Sequence, residues 1–307
     1  MNLRDLKYLV EVAETRHFGK AAQRCFVSQP TLSGQIKKLE GELGVTLFER
    51  TNRSVEVTPV GEAVIRHARQ ILEQAEAMRQ LARSFQDPLA GSLKVGAIPT
   101  ISPYLIPLFL RSMKQDMPQM RLILSEEQTD VLLERLKQHE IDAALIATEH
   151  PETDFKAIAL YEEPFWLAHP QDDPPPSTDV IRQQDLEAME ILLLSEGHCL
   201  ADQVMEVCHL QERQQQGEFA DLRASSLETL LQLVSAGYGS TLVPALAMDP
   251  TELTGRGIAT RELSLPHSAR RVSLIFRESF PRPAALRALA NLILDHLPDS
   301  VTRLDGS

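Results

Sequence analysis

The sequence predicts a multi-domain protein: an all-α winged helix-turn-helix module, a long linker helix and an α/β domain of two lobes. Three patterns predict this architecture. Residues 1–58 show helical spacing and then strand alternation, residues 59–87 carry an apolar heptad repeat, and residues 88–307 alternate strand and helix patterns. A chain of 307 residues is long enough for two or three domains with separate hydrophobic cores.

The composition is that of a folded protein without a membrane span. Apolar residues make up 43% and charged residues 24%, and no run approaches the roughly 18 apolar residues that a span needs. The first ten residues lack the basic stretch and apolar core of a secretory signal. Three cysteines are too few, and odd in number, for a disulfide scaffold. We therefore expect a cytoplasmic protein with no membrane partner, whose thiols stay reduced unless a disulfide is regulatory.

The charge is unevenly distributed along the chain. Residues 1–87 hold 13 Lys+Arg and 11 Asp+Glu, a net charge of +2, whereas residues 88–307 hold 18 and 32, a net charge of −14. An acidic body repels phosphate, so any contact with DNA must come from the N-terminal segment.

The N-terminal segment has the pattern of three short helices. Apolar residues within 3–13 recur at helical spacing, and a second helix fits residues 18–25. Ser28 is a suitable N-cap for the third helix, and Pro30 is tolerated because first-turn amides lack partners within the helix. Gly44 is predicted to end that helix as its C′ residue.

Residues 45–57 alternate around a turn that carries arginines, which predicts a strand–turn–strand wing. In a helix-turn-helix, the third helix enters the major groove of DNA. Small hydroxyl and amide side chains suit base edges and phosphates, and arginines suit phosphates or the minor groove. The alternative is a helical protein-interaction module with a solvated polar face. We predict double-stranded DNA as the partner, contacted by Ser28, Gln29, Pro30, Thr31, Ser33, Lys37, Arg50 and Arg53.

The linker helix carries a seam of apolar residues. Val64, Ile71, Met78 and Phe85 recur every seven residues, which predicts pairing with the same helix of another chain. From Pro59 to about residue 86 such a helix is roughly 40 Å long. The alternative is a helix that packs on its own domain.

The N-terminal motifs resemble those of one family of regulators. Residues 18–22, 28–33, 36–40, 43–50 and 58–61 are similar to LysR-type transcriptional regulators, and the match runs without a break over about residues 1–65. The resemblance implies that the linker helix dimerises, that dimers pair into homotetramers, and that RNA polymerase is a partner.

The acidic body begins as a βαβαβ unit with a mostly parallel sheet. Strands are predicted near 93–98, 121–125, 141–147, 163–169, 190–194, 240–243 and 271–276, and helices near 102–116, 129–139 and 282–297. We place lobe I at about 91–162 and 268–307 and lobe II at about 163–267. This arrangement resembles the periplasmic-binding-protein-like effector domain of LysR-type regulators. Ligands in such sheets bind at the carboxyl ends of strands, and no Gly-rich phosphate loop points to a nucleotide enzyme.

Two cysteines in the body, Cys199 and Cys208, lie nine residues apart. On one continuous helix the two thiols would be about 13.5 Å apart along the axis, whereas a disulfide needs Cα atoms within about 7 Å. Three interpretations remain open. The cysteines are two unrelated buried thiols, they bind a metal in a His-Cys-x8-Cys-His pattern, or they form a redox switch. In a switch, the segment between them must change its structure before a disulfide can form. The spacing fits zinc sites poorly. Helix N-terminal amides and His198 are expected to lower the pKa of Cys199, which favours the switch.

Residues 95–107, 197–203 with Cys208, and 224–230 resemble the OxyR branch of the LysR-type family, whose members sense hydrogen peroxide. The resemblance implies an activator of oxidative-stress defence genes, not an enzyme and without metal or cofactor, that is reset by a glutaredoxin- or thioredoxin-type reductant. The alternative is a LysR-type regulator that binds a small metabolite between its lobes. By resemblance the reacting set is Cys199 (peroxidatic), Cys208 (resolving) and a peroxide pocket of Thr100, Thr129, His198, Asp202 and Arg271, with Arg270 as the alternative arginine.

Overall fold

The computed structural model describes residues 1–50, 55–84, 89–148, 154–175, 181–210, 223–248, 250–263 and 265–304. It divides into two compact units, Met1–Asp87 and Pro88–Ser307. Among the described residues, no helix is both long enough and apolar enough to cross a membrane.

The first unit is a winged helix-turn-helix followed by a long helix. Its elements are α1 (Leu3–Thr15), α2 (Phe18–Arg24), α3 (Gln29–Leu43), β1 (Phe48–Arg50), β2 (Val55–Val57) and α4 (Pro59–Ser84). The strands β1 and β2 pair antiparallel and form the predicted wing.

Local signals set the bounds of the third helix as predicted. The Ser28 hydroxyl accepts a hydrogen bond from the Thr31 amide and caps α3, and Gly44 ends the helix with φ of +70°. Leu32, Ile36 and Leu39 lie on one face of α3 and are buried against α1 and α2. The opposite face of α3 is left to solvent.

The long helix α4 has two different halves. Its N-terminal half belongs to the helix-turn-helix core, because Ile65 and Ala68 are buried there. Further along, Ile71 and Met78 of the predicted seam are 42% and 74% exposed. Packing on its own domain therefore accounts for the first half of α4, whereas Ile71 and Met78, the described seam residues of the second half, are exposed.

The second unit is an α/β domain built around one continuous sheet. The elements up to the cysteine segment are β3 (Gly91–Ala97), α5 (Ser102–Asp116), β4 (Met120–Glu126), α6 (Thr129–Lys137), β5 (Ala143–Ile146), β6 (Phe155–Pro170), α7 (Gln183–Glu187), β7 (Leu193–Leu194) and α8 (Cys199–Val207). The remaining elements are β8 (Arg223–Ala224), α9 (Leu227–Ser235), β9 (Thr241–Pro244), a 3-10 turn (Ala245–Ala247), α10 (Pro250–Gly255), β10 (Ile258–Glu262), β11 (Ala269–Arg277), α11 (Pro283–Asp295) and β12 (Thr302–Arg303).

The sheet runs in the order β10-β6-β11-β5-β3-β4, and β9 and β12 also pair with β6. Strand β3 is parallel to β4 and β5, as the predicted βαβαβ unit requires, whereas β11 is antiparallel to β5 and β6. The strand predicted near 163–169 is the second part of β6, which is 16 residues long. Its first part pairs with β11 and its second part with β9 and β10, so one strand passes through both lobes.

Each lobe has its own hydrophobic core. One core combines β3, α5, β5, β11 and α11, and the other combines the end of β6 with α8, α9 and β9. The predicted two-lobed α/β body is therefore confirmed.

Candidate functional site

A small pocket lies where the carboxyl ends of β3 and β4 meet the N-terminus of α8. It contains about 180 Å³ of space, part of it open to solvent. Its lining is Ile98, Pro99, Thr100, Gln128, Thr129, Gly197, His198 and Cys199.

The chain reaches this pocket through a tight turn before α8. Gly197 has φ of +91°, and a Cβ there would lie 2.5 Å from the Gln128 Oε1. Glycine adopts this backbone conformation readily, whereas any other residue would be strained there and would displace the end of the Gln128 side chain. His198 follows as the N-cap residue, and Cys199 is the first residue of the helix. Although α8 packs in the core of lobe II, the Cys199 side chain packs against the core of lobe I.

A buried arginine stands behind the pocket, and it is Arg270. Its Nη1 donates to the Thr100 hydroxyl at 2.9 Å and its Nη2 donates to the Thr100 carbonyl at 3.0 Å. Its Nε donates to the Glu163 carboxylate at 2.8 Å.

The structure does not bring Arg271 to the pocket. Its side chain is 59% exposed and donates to Glu162 on the outer surface of the sheet. Adjacent residues of a strand point to opposite faces, so Arg270 and Arg271 cannot both line one pocket. The pocket position expected for Arg271 is therefore corrected to Arg270.

Two threonine hydroxyls line the pocket. The Thr100 Oγ1 accepts from Arg270, which leaves its own proton free to be donated elsewhere. The Thr129 Oγ1 is buried and has no hydrogen-bond partner of normal geometry, yet it lies close enough to lower the pKa of the Cys199 thiol. Thr129 is the first helical residue of α6, and Gln128 is the N-cap residue.

Burial dominates the acidity of Cys199. Desolvation raises the pKa of its thiol, and the nearby Asp202 carboxylate also raises it. Arg270, Thr129 and the Leu200 amide lower the pKa without reversing the effect of burial. The expected net lowering of this pKa is therefore wrong for the structure, because the lobe I core removes the thiol from water.

Of the two remaining residues predicted for the pocket, His198 lines it and Asp202 does not. His198 is buried and lines the pocket. Asp202 is exposed on the first turn of α8 and does not line it. Its carboxylate affects Cys199 only through charge.

Cys208 lies at the other end of α8. It is the C-cap residue and is fully buried in the core of lobe II, which raises the pKa of its thiol to about 12. Both thiols are free. Nine residues of helix separate them by about 13.5 Å along the axis, which is too far for a disulfide. The structure therefore corresponds to the dithiol state.

Gln203 joins the site although the sequence did not single it out. Its Nε2 donates to the Ala147 carbonyl at the end of β5, at 2.7 Å, and so links α8 of lobe II to lobe I. Its Oε1 is buried without a partner. The signal was present in the sequence, because a residue four positions after Cys199 lies on the same face of a helix.

The metal alternative receives no support from the residues described. They contain no group of three or more His, Cys, Asp or Glu that could hold a metal ion. His198 with Cys199 and Cys208 with His209 lie at opposite ends of α8.

Of the predicted DNA-contacting residues, Ser28 is the N-cap of α3, five lie along its first nine residues and two belong to the wing sequence. Most of them are exposed, and Ser33 is half-buried. Arg53 and the side chain of Arg50 lie outside the described residues. The exposed set is Ser28, Gln29, Pro30, Thr31 and Lys37.

Comparison with known families identifies the class of protein. The model of bacterial regulatory helix-turn-helix proteins of the lysR family matches residues 3–62. The LysR substrate binding domain matches residues 86–298. The chain therefore belongs to the LysR family of bacterial helix-turn-helix regulators.

Full-length relatives place it within one branch of that family, OxyR. It is 39% identical over 297 residues to the hydrogen peroxide-inducible genes activator of Pectobacterium carotovorum, covering 97% of each protein. Full-length OxyR C199D from Pseudomonas aeruginosa matches with a TM-score of 0.82 and 39% identity, over 100% of this chain and 99% of that one. A cysteine mutant of Corynebacterium glutamicum OxyR with hydrogen peroxide bound matches with a TM-score of 0.66 and 37% identity, over 96% and 92%.

Proposed function

We propose that this protein is a transcriptional activator that responds to hydrogen peroxide through a reversible disulfide between Cys199 and Cys208. The observation that carries the proposal is the Cys199 thiol in the lining of a small pocket, with two threonine hydroxyls and a buried arginine beside it. The peroxide-bound relative supports the assignment of the ligand.

The first chemical step occurs at Cys199. Its thiolate attacks one peroxide oxygen, the O–O bond breaks, and the leaving hydroxide takes up a proton to become water, leaving a sulfenic acid. The hydroxyls of Thr100 and Thr129 orient the peroxide, and the Arg270 guanidinium stabilises the negative charge on sulfur and on the departing oxygen. Because burial raises the pKa of Cys199, only a small fraction is thiolate at neutral pH, and the reaction depends on this pocket.

The second step requires a change of structure. The Cys208 thiolate attacks the sulfenic sulfur, which releases a second water and forms the disulfide. Cys208 is at the far end of α8 and fully buried, so the helix must unwind. Closing a loop of about ten residues has a small entropic cost, and the main opposition is the loss of the packing of α8. A glutaredoxin- or thioredoxin-type reductant returns the protein to the dithiol state.

Formation of the disulfide changes how the protein binds DNA. Helix α3 enters the major groove of double-stranded DNA, in the cytoplasm, and the uncovered seam of α4 pairs subunits into homodimers and homotetramers. Remodelling α8 changes the spacing of the DNA-binding modules and the contact with RNA polymerase at defence genes. The protein consumes peroxide once per oxidation and is a sensor, not an enzyme.

Cysteine variants test the chemistry directly. With one equivalent of peroxide, Cys208→Ser should retain a sulfenic acid that dimedone traps at Cys199. Cys199→Ser should show no labelling, and the control Cys25→Ser should form the disulfide as the wild type does. Labelling of Cys199→Ser, or loss of the disulfide in Cys25→Ser, would contradict the proposed roles.

A further inference from the structure

A buried ion pair lies immediately behind the pocket. The side chains of Glu163 and Arg270 are 0% and 1% exposed. One carboxylate oxygen, Oε2, accepts a hydrogen bond from Nε of Arg270 at 2.8 Å and also lies 2.8 Å from Nη2. The other oxygen, Oε1, accepts from the Leu246 amide at 2.7 Å. The carboxylate thus holds the guanidinium on one side and the 3-10 turn on the other.

This arrangement requires a carboxylate rather than its amide. Both neighbours of Glu163 are donors. A glutamine would turn an N–H group toward one of the two donors, and that contact would be lost. Buried ion pairs add little net stability compared with apolar side chains of the same shape. The position of this one, one hydrogen bond away from Thr100 of the pocket, points to a role in the chemistry.

We propose that Glu163 is a positioning residue that holds Arg270 against Thr100 and partly neutralises it, and so restrains the reactivity of Cys199. The inference rests on the proposed function, in which Cys199 is the reacting thiol. A guanidinium whose charge is balanced by a carboxylate attracts a neighbouring thiolate less than an unbalanced one. Removing the carboxylate charge should therefore make Cys199 more acidic and more reactive.

The groups that face Cys199 come from several elements, and their effects can be separated. Arg270 on β11 and Thr129 on α6 favour the thiolate, whereas Asp202 on α8 opposes it. His198, also in the pocket lining, precedes Cys199. On the far side of Arg270, the charges of Glu163 and Arg270 also act on the buried Tyr161 of β6, whose pKa is raised well above its usual value, by burial first.

The test measures thiol acidity without peroxide. Cys199 in the reduced full-length protein is alkylated with iodoacetamide from pH 6 to 10, and the alkylated peptide is quantified by mass spectrometry. In Glu163→Gln the midpoint should fall by about half a pH unit or more, which is roughly a threefold gain in thiolate at pH 7. Glu163→Asp, which retains a displaced charge, should shift the midpoint in the same direction by less.

The matched control is Glu162→Gln, because Glu162 is the neighbouring residue of β6 and pairs with the exposed Arg271. Its midpoint should equal that of the wild type. An unchanged or raised midpoint in Glu163→Gln, or an equal shift in Glu162→Gln, overturns the proposal. If Glu163→Gln does not fold, Glu163→Asp decides, and a midpoint at or above that of the wild type overturns it. A failure of the peroxide response itself would leave these midpoints unaffected, so the two failures are distinguishable.

Discussion

Cys199 and the residues around it determine how the site reacts. Its thiol combines two opposing influences, since burial raises its pKa while Arg270 lowers it. The reactive thiolate fraction therefore grows with pH through the alkaline range, and at neutral pH it depends on the arginine. His198 and Thr129 form part of the pocket lining beside the thiol. The pKa of Cys199 therefore depends mainly on two opposing effects, desolvation of the thiol and the positive charge of the buried Arg270.

Replacing Arg270 should change both the pKa of Cys199 and its rate of oxidation. Arg270→Met should raise the pKa of Cys199 and slow its oxidation by peroxide at pH 7 by about tenfold or more, since an opposite charge shifts a pKa by roughly one to three units. Stopped-flow measurement of thiol loss checks the rate, and circular dichroism checks the fold. Arg271→Met is the control and should react as the wild type does. Slower oxidation in Arg271→Met alone would return the role to the exposed arginine.

The two arginines also show what the sequence could predict at this scale. The sequence located the pair but could not tell which member faces the pocket. That choice depends on the register of β11 against β6, and the pairing has an irregularity between Val272 and Ser273. The sign of the pKa shift of Cys199 was missed for a related reason. Its burial comes from the core of lobe I, far away in sequence.

The bounds of helices are predictable from the sequence where capping residues, proline or glycine determine the helix ends. Helix α5 begins at Ser102 and ends at Asp116 as predicted, and α3 has its predicted cap and its predicted glycine. The long strand β6 was only half predicted, because Pro164 in its middle is a residue that usually interrupts strands. Strand β10 was not predicted, since its polar sequence is stabilised by pairing with β6.

The tight turn before α8 should contribute to the stability of the protein through Gly197. Gly197→Ala should destabilise the protein by about 1–3 kcal/mol, because φ is positive and the new Cβ meets Gln128. Urea unfolding measures the change in the free energy of unfolding. Gly255→Ala is the control, because its Cβ would meet open space, and its change should stay within about 0.5 kcal/mol. Equal stability of Gly197→Ala and the wild type would mean that the turn tolerates a side chain.

At the scale of the whole molecule, we expect subunits to associate through the exposed described residues of the α4 seam. Met78 is the most exposed described residue of the predicted α4 seam, at 74%. We predict that Met78→Lys weakens subunit association at least tenfold, since burial of such a side chain contributes about 1.5–3 kcal/mol in each subunit. Analytical ultracentrifugation over a concentration series measures it. Arg79→Ala, whose side chain pairs with the exposed Glu76, should associate normally. Unchanged association of Met78→Lys would place the subunit interface elsewhere.

We propose that disulfide formation across α8 changes how the assembly binds DNA. The most direct measurement is non-reducing peptide mapping of the protein after stoichiometric peroxide, with DNA footprinting of the same samples. We expect a cross-linked peptide containing Cys199 and Cys208 together with a changed footprint, both reversed by a thiol reductant. Thiols that stay free after peroxide, or a footprint that is the same with and without the disulfide, would contradict it.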